Sequence, residues 1–141
     1  MKKQRLRFID DELFLNFLQD LRISNPQAAI EVYCQGRISL LFLPQAMSRD
    51  KRNWLRRKRN TVLQFGMSTY DFHKKVQGDE SLLSSKYGLK AEDFTAVPGA
   101  VPLEIESVGI VGCLAITGLS PEEDHELAVH LLNLAIGRQY E

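Results

Sequence analysis

Two stretches of alternating apolar and polar residues, Ala28 to Leu43 and Val101 to Thr117, each turning at a glycine, constrain this chain more than any other feature. A period of two matches the pleat of a β-strand, whose side chains point alternately to opposite faces. In the first stretch Ile30, Val32 and Cys34 alternate with Glu31 and Tyr33, Gln35-Gly36 turns the chain, and Ile38, Leu40 and Phe42 share one face of the returning strand. Leu41 and Leu43 are apolar as well, which predicts a second strand covered on both faces. In the second stretch Val101, Leu103 and Ile105 alternate with Pro102, Glu104 and Glu106, and Ile110 to Thr117 returns after Gly109. Two hairpins of this kind predict an antiparallel sheet.

Helical signals surround the hairpins. Leu13, Phe14, Phe17, Leu18 and Leu21 keep i, i+3, i+4 spacing behind the acidic turn Asp10 to Glu12, and Ser24-Asn25-Pro26 ends the run. From Ser48 to about Val76 no proline occurs, and Trp54, Lys58, Thr61, Val62, Phe65 and Phe72 fall along one stripe, which predicts a long central helix. Gly66 inside it predicts either a break or close packing against another backbone. Gly78 to Thr95 reads as a surface connection with short turns around Leu82, Leu83 and Tyr87. Ser120-Pro121-Glu122-Glu123 is a capping box with proline at the first helical position, opening a helix that presents Leu127, Leu131, Leu134 and Ala135 to one side. The summed order of helix, hairpin, long helix, hairpin and helix gives an α+β fold, a sheet of about four to five antiparallel strands with packed helices.

A length of 141 residues and an apolar fraction of 44% suit one domain over residues 1–141, with the N-terminal helix in residues 1–27. The basic start MKKQRLRFIDDELF meets three acidic residues before any signal-peptide core develops, and no apolar run reaches the roughly 18 residues of a membrane span. A cytoplasmic location is therefore expected. Cys34 and Cys113, both in strand-like surroundings, read as reduced core thiols, and no spacing of Cys and His matches a metal site. Net charge is zero but unevenly spread. Residues 1–75 hold 15 basic and 7 acidic side chains, residues 76–141 hold 3 and 11. Such polarity suits either an anionic partner at one end or the meeting of opposite ends of two subunits, the second being favoured.

Arg56-Arg57-Lys58-Arg59, with Arg49, Lys51 and Arg52 upstream, is the strongest charge feature. Successive helical residues are about 100° apart, so four in a row surround a helix and make no flat basic face. Only Trp54 lies near as a stacking aromatic, so no nucleic-acid partner is expected. A solvated or intersubunit role and bidentate capture of an anionic small ligand both remain open for the arginines. His125 and His130 are five apart, off the i, i+4 spacing of a helical metal pair. His125 beside Asp124 is the most site-like histidine, although a histidine aiding a helix's first turn explains it too. Glu122, Glu123 and Asp124 complement the helix dipole. Phosphate-binding glycine loops and the G-x-S-x-G elbow are absent, and no nucleophile-base pair can be named.

The stretches WLRRKRNTVLQFGMSTY (Trp54 to Tyr70), KYGL (Lys86 to Leu89), PGAVPLEI, and GIVGCLAITGLSPEEDHELAV (Gly109 to Val129) together resemble the heme-degrading-domain family of HbpS-like, GlcG-like and PduO C-terminal-like proteins, over roughly Ala28 to Leu132. The resemblance implies a profilin-like sandwich that forms homo-oligomers, dimers or higher rings, and it implies heme or a related tetrapyrrole as ligand. Arg56, Arg57 and Arg59 would then engage propionate-like carboxylates, with Tyr70, His73 and His125 as further contacts and the pocket between the central helix and the loop before Ser120. It also implies an alternative, a non-enzymatic assembly or chaperone-accessory module, since a eukaryotic member of this branch is linked to delivery of tail-anchored membrane proteins. In that case the arginines would pair with Glu122, Glu123, Asp124 or Glu126 of a neighbour. One departure stands out: relatives carry a His-Gly-Gly-x-Phe-Pro-like turn where this chain has Val97-Pro98-Gly99-Ala100-Val101-Pro102, which puts Val97 in the place of that histidine.

Overall fold

The computed structural model describes residues 5–141, so of the basic start only Arg5 and Arg7 fall within it and the first four residues lie outside the described residues. Asp10 caps the first helix, α1 (Asp11–Ser24), by accepting from the Leu13 N–H at 2.9 Å. The first hairpin follows as β1 (Ala29–Cys34) and β2 (Arg37–Phe42). Then come α2 (Asp50–Phe65), α3 (Thr69–Lys75) and the single turn α4 (Leu82–Ser85). The second hairpin is β3 (Ala100–Ile105) and β4 (Gly109–Thr117), and α5 (Pro121–Gln139) closes the chain. The sheet is antiparallel in the order β2-β1-β4-β3, and Leu6 adds one parallel bridge to Ile105 beyond β3.

Both faces of this sheet are covered. On one, Ile30, Val32, Val101, Leu103, Leu114 and Ile116 meet Phe17 and Leu21 of α1 and Leu127 and Leu131 of α5. On the other, the small side chains Ala29, Ala100, Cys113 and Ala115 let α2 approach with Leu55 and Val62. No helix among the described residues is long and apolar enough to cross a membrane.

The structure departs from the sequence expectations at three places, and at Gly66 it decides between the two alternatives the sequence left open. Val32 pairs with Leu40 but Tyr33 pairs with Ile38, so Ser39 is an extra residue in β2. This bulge turns Ile38 to the α2 side beside Glu31, away from Leu40 and Phe42, because an inserted residue reverses the alternation beyond it. The long central helix breaks at Gly66, which takes φ 66° and ψ 30° and donates its N–H to the Val62 carbonyl at 2.8 Å; Ser68 then caps α3. The segment after α3 is not merely a surface connection: Leu83 is buried with Phe72 and Val76 in a third apolar cluster, where Phe65 stacks on Phe72. On α5, Leu134 is exposed at the margin, and Ala128 and Ile136 are buried instead.

Cys34 and Cys113 are buried free thiols. Burial pushes the Cys34 thiol up to about 11 and the Cys113 thiol well above its ordinary value. Since the thiolate is the reactive form, neither should react with an aromatic disulfide reagent at pH 8 in the native state, and both should react once denaturant is added. Rapid native-state labelling of either would contradict this packing.

Candidate functional site

The basic block does not act as a unit, because its side chains serve three separate places: Arg56 and Arg57 reach the 91–95 segment, Lys58 turns into the core and Arg59 meets Glu31. Arg56 bonds Asp93 and the Glu92 carbonyl, both at 3.0 Å. Arg57 donates to the carbonyls of Phe94 and Ala91 and lies 4.4 Å from the Trp54 ring. With Asn60 on the Asp93 carbonyl and Thr61 bonded to both backbone groups of Thr95, they clamp the 91–95 segment to α2. Arg59 pairs with Glu31 at 3.2 Å and covers the Tyr33 ring at 4.6 Å.

Lys58 points into the core. Its ammonium donates to the Ile116 carbonyl at 2.8 Å and to Asp124 Oδ2 at 3.1 Å, both side chains being almost fully buried. Asp124 Oδ1 accepts from the Leu119 N–H at 3.0 Å. Burial pushes the Asp124 carboxyl up and the Lys58 ammonium down, each opposed by the charge of the other. Gly99 lies so close that a Cβ there would stand 2.5 Å from Lys58 Nζ. This joint fixes the start of α5 against α2 and β4, and with it His125. Asp124 is thus spent inside the molecule and is not offered to a neighbour.

A cleft of about 470 Å3 opens between α3, α5 and β3. The break at Gly66 redirects the chain so that Ser68, Tyr70 and Asp71 line one side, and Thr69 ties this turn to β3 by bonding both backbone groups of Ala100. His125, Val129, Leu132 and Ile136 line the other side from α5. The Tyr70 and His125 rings stack at 4.5 Å between centroids and 17° between planes. Arg5 and Glu104 form an ion pair at the rim, 2.8 Å apart.

A second cleft, about 330 Å3, lies between α2 and β2 and is lined by Glu31, Ile38, Arg49, Arg52, Asn53, Arg56 and Arg59. Glu31 is buried there. Burial raises its carboxyl, while Arg59 and Arg52 hold it down.

Of the residues singled out from the sequence, Tyr70 and His125 come together in the first cleft, and Arg56 and Arg59 in the second. Arg57 lines neither, and His73 lies elsewhere, its Nδ1 donating to the Ala96 carbonyl at 3.1 Å. Val97 also lines neither cleft; its N–H donates to Thr95 Oγ1. Sequence reasoning missed Arg49 and Arg52 as partners of Arg56 and Arg59. Their spacing of three, four and three was the available signal, since it places all four on one helical stripe.

Comparison with known proteins agrees with the fold and the motifs. The family described as "Haem degrading protein HbpS-like" matches residues 12–133. A UPF0303 protein of Paraburkholderia phymatum is 35% identical over 112 residues, 79% of this chain and 68% of that one. The crystal structure of the Ybr137w protein superposes with a TM-score of 0.85 at 25% identity, covering 96% of this chain and 83% of the other. A PduOC:heme complex shares the fold, with a TM-score of 0.72 at 15% identity over 89% of this chain and 93% of its own. On the extent of the family match and on the identity to UPF0303 proteins, the chain belongs to the HbpS-like family.

Proposed function

We propose that the protein binds heme or a similar flat tetrapyrrole in the cleft between α3 and α5. The observation that carries this reading is the Tyr70–His125 stack inside that cleft. Histidine and tyrosine are both established axial ligands of heme iron, and the donor set of the cleft therefore fits the group. Val101, Pro102, Val129, Leu132 and Ile136 supply the apolar wall a macrocycle needs, and Arg5 stands at the rim where a carboxylate would emerge. Heme, when bound, supplies an iron centre; the chain's own part is to bind, orient and shield it. Arg56, Arg57 and Arg59, engaged with Asp93, backbone carbonyls and Glu31, support the scaffold in this reading instead of holding propionates. The protein is read as a cytoplasmic, self-associating binding protein.

Hemin titration with absorption spectroscopy tests it. A shifted Soret band should saturate near one equivalent per chain, and Tyr70→Phe and His125→Ala should each move or weaken it. No Soret shift at stoichiometric protein, or a spectrum that both variants leave unchanged, overturns the reading.

A non-enzymatic assembly role is supported by a separate observation: Glu122, Glu123 and Glu126 remain exposed at the start of α5, opposite in charge to the exposed Arg49 and Arg52. In that case Arg52→Glu shifts the mass measured by light scattering; an unchanged mass rejects it.

A further inference from the structure

We infer that the arginine cleft between α2 and β2 is a second ligand site, for a small oxyanion carrying at least two negative charges. This does not rest on the heme reading, because the two clefts share no lining residue.

Arg49, Arg52, Arg56 and Arg59 stand on one stripe of α2, so like charges face each other one turn apart, an arrangement that is unfavourable by itself. Compensation within the chain is incomplete. Arg59 is held by Glu31 and Arg56 by Asp93, but among the described residues no carboxylate forms an ion pair with Arg49 or Arg52. Two exposed guanidiniums therefore flank a concave site whose other arginines are already fixed.

The fixing matters as much as the charge. Glu31 is 1% exposed and the Tyr33 ring lies under Arg59, so that guanidinium is oriented before any ligand arrives. Asn53 Oδ1 accepts from Arg56 Nε at 3.0 Å, which leaves the Asn53 amide nitrogen as a neutral donor in the same cleft. Planar guanidiniums bind carboxylate and phosphate oxygens in pairs, and a preorganised set loses less side-chain entropy on binding. The volume of about 330 Å3 suits a small anion, and Ile38 gives one apolar wall for its carbon skeleton. Phosphate and dicarboxylate chemistry both satisfy these contacts.

Isothermal titration of the full chain with inorganic pyrophosphate in one arm and succinate in the other distinguishes the two sources. Saturable binding near one equivalent is expected in at least one arm, and should be about ten-fold weaker or more in Arg52→Ala and in Arg49→Ala, each losing a charge-assisted contact. These side chains make no ion pair among the described residues, so the melting temperature should hold, and Arg37→Ala, outside the cleft, should bind as the parent does. Absence of saturable heat in both arms overturns the inference. So does binding that the two variants leave intact, or a variant that changes only the oligomer mass, which would assign the cleft to a second copy of the chain.

Discussion

Asp124→Ala is expected to lower the unfolding free energy by about 3–5 kcal/mol, because it strands the Lys58 ammonium in the core without its carboxylate. The carboxylate also receives the Leu119 N–H, so the loop entering α5 loses an acceptor at the same time. Whether the ion pair itself stabilises the fold is a separate question, on which the direction of each titration bears. An acid raised by burial contributes stability below its ordinary pKa and loses that contribution as pH rises through the folded value. A lysine lowered by burial contributes above its ordinary pKa and loses that contribution as pH falls through the folded value. For Asp124, raised, and Lys58, lowered, the two contributions lie at opposite ends of the pH scale and each declines toward its middle, because burial opposes the charged form of both groups. The double variant Lys58→Met, Asp124→Leu should therefore regain most of what Asp124→Ala loses at pH 7. Urea unfolding of the three proteins measures this. A loss under about 1 kcal/mol for Asp124→Ala would show that the joint can be hydrated without harm.

Gly112→Ala is expected to be about as damaging, by a purely steric route. A Cβ at Gly112 would stand 2.0 Å from the Tyr33 carbonyl oxygen and 3.0 Å from the Cys34 Cα. Both obstacles belong to β1, which pairs with β4 at the centre of the sheet, so relief requires separating two strands that each carry core residues on both faces. Overpacking that forces backbone shifts costs about 1–3 kcal/mol and occasionally more, and a 2.0 Å approach to a backbone oxygen puts this substitution at the upper end. Gly137→Ala is the control. Nothing lies within 4 Å of a Cβ there, the residue is helical, and alanine should be neutral or stabilising by up to about 1 kcal/mol. Equal unfolding midpoints for Gly112→Ala and the parent protein would mean that the β1–β4 register is looser than these distances require.

Much of this architecture is legible in the chain itself. Alternation at Ile30, Val32 and Cys34 and at Val101 and Leu103 specifies strands because the pleat repeats every two residues, and the Ser120–Glu123 capping box specifies the start of α5 because its bonds span three residues. The helical stripe even carried Lys58 among core positions such as Thr61 and Val62, although its charge argued for water. These features are local, so sequence order contains their geometry.

The site is different. Ser39 is one inserted residue with no compositional mark, yet it decides that Ile38 lines the arginine cleft. Tyr70 stacks on His125 only because α3 and α5 pack beside the same strand, β3. Lys58 finds Asp124 across 66 residues, and which of four adjacent basic side chains goes inward depends on where α2 meets β4 and α5. The sequence by itself determined most of the elements and their order, since those rest on short-range periodicity and capping, and it carried the family through the motifs it shares with relatives. Only the tertiary structure decided which charges are buried, which are clamps and which remain open to a ligand, because Coulomb and packing energies depend on distance in space and not along the chain.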